Sequence, residues 1–253
     1  MEKDKTVYLV GLGPGDPELI TLKGLKAIRN SDRVIVPQSD TTGRSIARDI
    51  VLNYVSEEKL MMYFFPMTND EKELDRKYAE LAMQIEHYLE DGETVSYVTL
   101  GEPTIYSTCN YLRAKLVQRN IKALLIPAVS SVNAAACAVG LSLCKKKEHF
   151  GIYELPENTE EICDCIRRHP CVVFMKVHKK LEVLLRAVKQ LMPAEAYLVR
   201  RIGLEGQHIY NLCLETPPPQ AAYLSIALIR LNTVTPGYGN AAAFNLCSLK
   251  DVK

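Results

Sequence analysis

The sequence lacks an excess of charge of either sign. Its 31 lysine and arginine residues are offset by 30 aspartate and glutamate residues, which leaves a formal net charge of +1 at pH 7. Proteins that bind nucleic acid or membrane surfaces through general electrostatics carry a strongly basic face, and this composition gives no support for one. The sequence also lacks an apolar run of the roughly 18 residues needed to span a membrane. We therefore expect neither a nucleic-acid partner nor a membrane partner.

Paired cysteine motifs are lacking as well. The eight cysteines are scattered and none forms a Cys-x-x-Cys pair, so we expect reduced thiols that mainly pack in the interior. A zinc site built from Cys163, Cys165, Cys171 and His169 would have irregular spacing, and no metal is predicted. The opening Met-Glu-Lys-Asp-Lys contains no apolar signal segment. Together these features favour the cytoplasm.

The order of apolar segments predicts an α/β fold. Residues 7–10 form a short apolar run typical of a buried strand, a helical pattern extends to Asn30, and residues 32–37 form a second strand. This βαβ unit implies parallel strands with a right-handed crossover. Further strands of the same sheet are predicted at 60–66, 94–100 and 121–126. Further helices are predicted at 70–90 and 103–118. The first half is therefore expected to form a mainly parallel sheet.

The second half is richer in strands, which indicates a mixed sheet. Its predicted elements are helices at 157–168 and 180–191 and strands at 149–156, 171–177, 196–201, 208–212 and 223–229. The charged stretch 144–149 is the predicted boundary between a domain at 1–144 and a domain at 145–253, and the chain is long enough for both. The predicted fold class is two α/β domains with a ligand cleft between them.

The stretch 7–22 carries the first functional signal. Its glycine-rich turn at 11–16 follows a strand and precedes a helix, as a dinucleotide-binding loop would. However, Pro14 has no N–H to offer a pyrophosphate, and Asp16 would place a negative charge against it. No Gly-Lys-Ser/Thr follows, which excludes a Walker loop. The turn therefore suits a ligand other than a phosphate, although a tight turn without any ligand is an alternative.

Two further loops repeat this pattern. Residues 101–108, Gly-Glu-Pro-Thr-Ile-Tyr-Ser-Thr, follow a predicted strand, and Pro103 suits the first turn of a helix. Residues 127–131, Pro-Ala-Val-Ser-Ser, follow the next strand, and Ser130 and Ser131 are candidate caps for an alanine-rich helix. Open α/β sheets bind their ligands at the carboxyl ends of parallel strands. Three loops leaving successive strands there predict a binding site.

These loops resemble those of the tetrapyrrole methylase family, whose members transfer methyl groups from S-adenosylmethionine to corrin and sirohaem precursors. Residues 10–23 resemble the family's opening motif, Gly101-Glu-Pro its Gly-Asp-Pro loop, and residues 127–131 its Pro-Gly-Ile/Val-Thr/Ser-Ser loop. Within the family, residues 101–108 are most similar to the C20-methyltransferases that act on precorrin-2 or cobalt-factor II. Three other segments are similar to the same group, namely 65–70, 174–177 and 223–225. The resemblance covers roughly residues 6–230.

The resemblance implies a homodimer of two-domain chains with S-adenosylmethionine in the cleft and S-adenosylhomocysteine as product. It implies methyl transfer to the C20 meso carbon of the substrate in cobalamin biosynthesis. The residues for which it implies cofactor contacts are Pro14, Leu100, Gly101, Glu102, Ile105, Ser130, Ser131, Met175, Leu204 and Ser225. Met175 ends an apolar strand and would pack on the adenine, with a plain core methionine as the alternative.

The implied reaction requires little acid–base chemistry of the protein. A methyl group on a sulfonium is already activated and a meso carbon of a reduced tetrapyrrole is electron-rich, so in-line alignment in a dry site supplies most of the catalysis. A base is needed only to remove the C20 proton afterwards. The weak candidates are Glu102 and Asp16, with Tyr106 as a residue that orients the substrate. Capping and turn formation are equally good interpretations of the two acids.

The implied substrate carries eight carboxylates and therefore requires cations. Bidentate arginine–carboxylate contacts suit such a ligand. The candidates near predicted loop or strand ends are Arg44, Arg48, Arg113, Lys176, Arg200 and Arg201. Because most surface arginines are merely solvated, about two or three of these are expected to bind substrate. Any cobalt would arrive with the substrate, and both the cobalt-containing and the cobalt-free substrate stay open.

Two positions depart from the family pattern. Glu102 stands where aspartate is usual and Ala128 where glycine is usual, and both changes lie beside the expected cofactor. Residues 231–253 match no part of the pattern. The alternatives are the C2/C7 methyltransferase of uroporphyrinogen III, a diphthine-type methylase acting on protein, and a non-catalytic tetrapyrrole-binding protein. The segments 106–108 and 65–67 argue against the first two.

Overall fold

The computed structural model describes residues 5–39, 45–68 and 70–231. Within these ranges the chain divides into two compact units after Ser130. The strands of the first unit are β1 (Thr6–Gly11), β2 (Arg33–Gln38), β3 (Leu60–Phe64), β4 (Val95–Thr99) and β5 (Lys122–Ile126). Its helices are α1 (Leu22–Asn30), α2 (Ile46–Val51), α3 (Glu71–Glu90) and α4 (Cys109–Gln118). Residues 232–253, which hold nearly all of the unmatched extension, lie outside the described ranges.

The first unit is built on a parallel sheet, as predicted. Its five strands run in the order β3-β2-β4-β1-β5, and each neighbouring pair is parallel. The carboxyl ends of the strands therefore share one edge of the sheet. Because β1 lies between β4 and β5, the loops that follow these three strands leave adjacent positions of that edge.

Both faces of this sheet are covered, which explains why its strands are continuous apolar runs rather than alternating ones. Along β1, Val7 and Leu9 belong to a buried cluster with residues of α3 and α4. Val10 belongs to a second buried cluster, which includes Ile28 of α1 and Ile50 of α2. Successive side chains of a strand point to opposite faces, so β1 contributes to both halves of the core.

The longest helix, α3, shows how local sequence sets the element ends. Asp70 caps its first turn, because the Lys72 N–H donates to the Asp70 carboxylate at 2.9 Å. Tyr78, Leu81, Ala82 and Ile85 form the buried face, at the spacing of an amphipathic helix. Among the residues that the structure describes, no helix is long and apolar enough to cross a membrane.

In the part of the chain that the structure describes, the second unit combines a mixed sheet with three α-helices. Its elements are α5 (Ser131–Val139), β6 (Phe150–Glu154), α6 (Thr159–Arg168), β7 (Cys171–Met175), α7 (Leu181–Leu191), β8 (Glu195–Arg200), β9 (His208–Asn211) and β10 (Ser225–Arg230). The strand order is β6-β7-β10-β8-β9. The pairing of β6 with β7 is parallel, and the other three pairings are antiparallel. This arrangement is the mixed sheet that the sequence predicts.

The charged stretch 144–149 belongs to the second unit. The Lys145 N–H donates to Glu148 at 2.9 Å, and Glu148 forms an ion pair at 3.2 Å with Arg230, a buried residue of β10. The helix before this stretch, α5, also packs against β10. The compact units therefore divide before α5, whereas the domain boundary near residue 144 stays a prediction from charge.

Candidate active site

The loops after β1 and β4 are joined by backbone hydrogen bonds beyond the ends of their strands. The Leu12 N–H donates to the Thr99 carbonyl at 2.9 Å, and the Gly101 N–H donates to the Gly13 carbonyl at 2.7 Å. Gly13 and Gly101 have φ values of 83° and 81°. Residues other than glycine rarely adopt this left-handed conformation. We refer to residues 12–16 as the first loop and residues 100–108 as the second loop, and the bonds hold the two side by side.

All three loops meet at Gly11. A Cβ atom at this position would lie 2.6 Å from the Cβ of Ala128, 2.7 Å from the Cδ of Pro103 and 2.8 Å from the carbonyl oxygen of Gly101. No side chain fits in that space. Residues 127–130, the third loop, therefore approach the end of β1 as closely as the second loop does. The sequence-based expectation that the three loops share one edge is confirmed.

Side chains fix the outer parts of these loops. Thr21 caps α1, because its Oγ1 accepts from the Gly24 N–H at 3.1 Å, and the same hydroxyl donates to the Pro127 carbonyl at 3.2 Å. Asp16 accepts from the Glu18 N–H at 2.9 Å and so caps the 3-10 turn Pro17–Leu19. The carboxylate of Asp16 thus has the turn-forming role that was one of its two interpretations.

Glu102 connects the second loop to the third. Its Oε1 accepts from the backbone N–H of Thr104 at 3.0 Å and from the Thr104 hydroxyl at 2.7 Å. Its Oε2 accepts from the N–H of Ala128 at 2.8 Å. Ala128 does not adopt a positive φ, so alanine is accommodated there without strain. The two residues that depart from the family pattern are therefore hydrogen-bonded to each other.

The expected helix start at Pro103 is wrong, because α4 begins at Cys109. Tyr106 interrupts any earlier helix with a φ of 49°, a left-handed conformation that is costly for an aromatic residue. Ser107 then stabilises the start of α4, since its hydroxyl accepts from the Cys109 N–H at 3.3 Å and lies 3.0 Å from the Thr99 hydroxyl. Tyr106 is left 47% exposed at the end of the second loop.

Three expected cofactor residues of the second unit lie at one edge of its sheet. Met175 ends β7, and Ser225 begins β10, which runs antiparallel to β7. Arg200 ends β8 and pairs in register with both Ser225 and His208. Leu204 lies in the turn after β8, where its N–H donates to the Arg201 carbonyl at 2.9 Å. The structure thus brings Met175, Leu204 and Ser225 to a common edge.

Residues 6–217 match the sequence model of the family described as Tetrapyrrole (Corrin/Porphyrin) Methylases. The chain belongs to the tetrapyrrole methylase family. The match includes all three loops and most of the second unit, so the resemblance read from the loops is confirmed.

Relatives within the family cover most of the chain. The probable cobalt-precorrin-2 C(20)-methyltransferase of Methanocaldococcus jannaschii is 33% identical over 205 residues, 81% of this chain and 86% of the relative. The cobalt-precorrin-2 C(20)-methyltransferase of Salmonella typhimurium is 25% identical over 229 residues, 88% of this chain and 95% of the relative. The crystal structure of uroporphyrin-III C-methyltransferase from Thermus thermophilus, complexed with S-adenosylhomocysteine, has a TM-score of 0.60 at 19% identity and covers 89% and 97% of the two chains. This last likeness establishes the fold.

The other expected cofactor residues of this family member lie in or beside the three loops. Pro14 is in the first loop, and Leu100, Gly101, Glu102 and Ile105 are in the second. Ser130 is buried at the end of the third loop, and Ser131 begins α5. The backbone of Ile105 donates to the Glu102 carbonyl at 3.2 Å, which tightens the second loop into a turn.

The lysine and arginine residues that are expected to bind the substrate of this methylase differ in their surroundings. In the first unit, Arg48 forms an ion pair with Glu57, Arg113 is exposed on α4, and Arg44 lies outside the described residues. In the second unit, the backbones of Lys176, Arg200 and Arg201 lie at the same sheet edge, since Lys176 follows β7, Arg200 ends β8 and Arg201 follows it. The Nε atom of Arg200 is buried there and has no hydrogen-bond partner among the described residues.

Two threonines of the loop framework were missed in the sequence. Thr104 and Thr21 each hold a loop through a hydroxyl, and a threonine two residues after an acid is a recognisable turn signal. Cys109 was expected to be a packed thiol, and burial raises its pKa, so it stays protonated and donates to the Pro103 carbonyl at 3.5 Å. Gly11 belongs to the glycine-rich turn that the sequence identifies, but its need for a bare Cα has no local signal, because that need arises from residues 90 and more positions away.

Proposed function

We propose that this chain transfers a methyl group from S-adenosylmethionine to the C20 meso carbon of precorrin-2 or cobalt-factor II in cobalamin biosynthesis. The two relatives above are named for C20 methylation of cobalt-precorrin-2 and are matched over more than four fifths of the chain. The observation that carries the cofactor part of the proposal is the meeting of the three loops around Gly11. Those loops lie within the residues that match the family model.

The residues at this edge fit an adenosyl sulfonium cofactor. At Gly101, with φ at 81°, no atom lies within 4 Å of the position a Cβ would take. One side of the second-loop backbone is therefore open, and its polar groups can be approached by a ligand. The first loop has Pro14 and Asp16 where a phosphate would need donors. The edge thus suits a cofactor with many polar atoms and no phosphate.

When bound, the cofactor supplies a methyl group already activated by the sulfonium charge. The backbones of the first and second loops orient it, because their mutual hydrogen bonds leave them little freedom to move. Alignment at near-attack distance then provides most of the rate enhancement. Of the three weak catalytic candidates, Glu102 and Asp16 hold loop structure, whereas Tyr106 is half exposed at the same edge. We assign Tyr106 the orientation of the macrocycle and none of the three the role of base.

The second-unit edge supplies cations for the substrate carboxylates. Lys176 bonds to Glu154 at 2.9 Å, and the Nε of Arg201 donates to the Glu205 carbonyl at 2.8 Å, so both side chains are held in place. Arg200 lies beside them. The planar guanidinium of Arg201, held at its Nε atom, suits bidentate contact with a carboxylate.

Calorimetric titration with S-adenosylhomocysteine tests the cofactor assignment. We expect one site per chain with micromolar affinity, a binding free energy of about −8 kcal/mol. Mass spectrometry should then detect one added methyl group on precorrin-2 or cobalt-factor II, and none on uroporphyrinogen III. Methylation of uroporphyrinogen III alone would identify a sister enzyme. No binding at millimolar ligand would leave a non-catalytic tetrapyrrole-binding protein.

We further propose that the protein acts as a cytoplasmic homodimer, as the family resemblance implies. The seven cysteines among the described residues are all free thiols, which suits a reducing compartment. Light scattering at micromolar concentration should give twice the mass of one chain. The mass of a single chain would contradict the dimer.

A further inference from the structure

We propose that Glu102 and Ala128 are a matched pair that sets the spacing between the second and third loops, and that Glu102 is therefore a positioning residue for the cofactor. This inference rests on the proposed function, because it assigns cofactor affinity to the spacing. It differs from a base role for Glu102, in which the carboxylate would accept the C20 proton. The two roles make different predictions for the same variants.

The first support is the number of donors that the carboxylate of Glu102 accepts from. Thr104 supplies two donors to Oε1, and Ala128 supplies one to Oε2. A carboxylate accepts on both oxygens, whereas an amide accepts on one and donates from the other. Either orientation of a glutamine at this position would therefore place an N–H against a donor. The bridge needs an ionised acid, and a proton taken up from substrate would break one side of it.

The second support is the position of the Ala128 methyl group. It faces Gly11 so closely that a Cβ added to Gly11 would lie 2.6 Å from it. The methyl group therefore limits how closely the third loop approaches the end of β1. The longer side chain of Glu102 reaches across to the backbone N–H of Ala128 at 2.8 Å. The methylene that Glu102 has beyond aspartate and the methyl group of Ala128 therefore both act on the same distance, the spacing between the second and third loops.

The test is a double-mutant cycle with S-adenosylhomocysteine as the titrated ligand. Glu102→Asp shortens the acid and should weaken binding about tenfold, the effect of losing one hydrogen bond to a charged group. Ala128→Gly should weaken binding by about threefold, since it loosens the third loop without removing its N–H. The double variant should bind within about threefold of the parent, because a closer third loop lets the shorter acid reach it. Additive losses in the double variant would overturn the matched pair.

Kinetics separate positioning from proton transfer. In Glu102→Gln, the KM for S-adenosylmethionine should rise, while kcat at saturating cofactor and its pH profile stay close to those of the parent. A base role predicts instead a kcat loss of about a hundredfold or more and a changed pH profile. Asp70→Asn is the matched control, because Asp70 also accepts a backbone N–H, but at the start of α3. Asparagine keeps a capping oxygen, so this variant should leave both the melting temperature and the ligand affinity close to those of the parent.

The outcome stays readable if the proposed function fails. If the parent does not bind S-adenosylhomocysteine, the same four proteins are compared by thermal unfolding, which reports the loop bridge directly. If the melting temperature of the double variant falls by less than the two single losses combined, the matched pair is supported and its role in cofactor binding is rejected. If Glu102→Asp does not fold by itself, the pair predicts that adding Ala128→Gly restores folding, because a closer third loop lets the shorter acid reach it. A double variant that also fails to fold would overturn the matched pair.

Discussion

The two sheet edges, formed by the loops that follow the strands of each unit, differ in the residues that occupy their left-handed positions. At the edge of the first sheet, glycines hold the left-handed positions of the first and second loops, at Gly13 and Gly101. At the edge of the second sheet, the residues next to the strand ends with positive φ are Lys176, Arg201 and Leu224. A left-handed conformation costs a non-glycine residue about 1–2 kcal/mol. The second edge therefore tolerates strain that the first edge largely avoids.

This difference indicates different kinds of recognition. Glycine removes the side chain and lets a ligand or another loop touch the backbone, which suits a cofactor read by N–H and carbonyl groups. A long side chain on a left-handed residue is displayed by the turn, which suits recognition of carboxylates by cations. Strain concentrated at one edge is itself a pointer to function. The exception at the first edge, Tyr106, fits the same rule, because it is the residue proposed to contact the substrate.

The largest effect is expected from Gly11→Ala. The added methyl group would overlap Ala128, Pro103 and the Gly101 carbonyl, so the three loops cannot keep their present contacts. Overpacking of this kind costs about 3 kcal/mol of stability, and S-adenosylhomocysteine binding should fall below detection in calorimetry. Unaltered affinity would show that the meeting of the loops at Gly11 is not the cofactor site. The assignment of the first edge to cofactor binding would then be wrong.

Gly101→Ala sharpens the same comparison with a smaller structural effect. Its methyl group would meet no protein atom within 4 Å, so the loss of stability should be limited to the left-handed strain of about 1–2 kcal/mol. Binding should fall at least tenfold, because the methyl group enters the space assigned to the cofactor.

Gly140→Ala is the matched control for this variant. Gly140 also has a positive φ, at 67°, and open space around the added Cβ, but it lies after α5. It should lose similar stability and keep the affinity of the parent. Equal affinity losses in both variants would mean that strain, and not occupied space, weakens binding.

The sequence predicts the parts of the fold that local pattern controls. Apolar runs identify the strands, and glycine and proline identify the first and second loops. The position of β10 between β7 and β8 depends on pairing between distant segments, for which no local pattern exists. The Glu102–Ala128 bond joins residues 26 positions apart. The left-handed residues Lys176 and Arg201 carry no signal either, because tertiary contacts impose a conformation that their side chains disfavour.

Arg200→Gln tests the second half of the comparison. Arg200 ends β8 at the second edge, where its backbone pairs in register with Ser225 of β10 and His208 of β9. Loss of a charge-assisted contact should raise the KM for the tetrapyrrole about tenfold and leave S-adenosylhomocysteine affinity unchanged. Arg167→Gln, which removes an exposed pair with Asp164, should change neither quantity. A fall in cofactor affinity in Arg200→Gln would show that Arg200 acts with the expected cofactor residues of the same edge and does not bind the substrate.

The smallest effect separates strain that serves recognition from strain that does not. Met192 ends α7 with a φ of 44° and a side chain that is 78% exposed, so Met192→Gly should stabilise the protein by about 0.5–1 kcal/mol without changing any kinetic constant. Lys176→Gly relieves similar strain at the second edge but removes a cation. It should gain similar stability in denaturant unfolding and raise the KM for the tetrapyrrole. If both variants gain stability and neither changes KM, the strained residues of the second edge are structural, and the contrast between the two edges does not concern recognition.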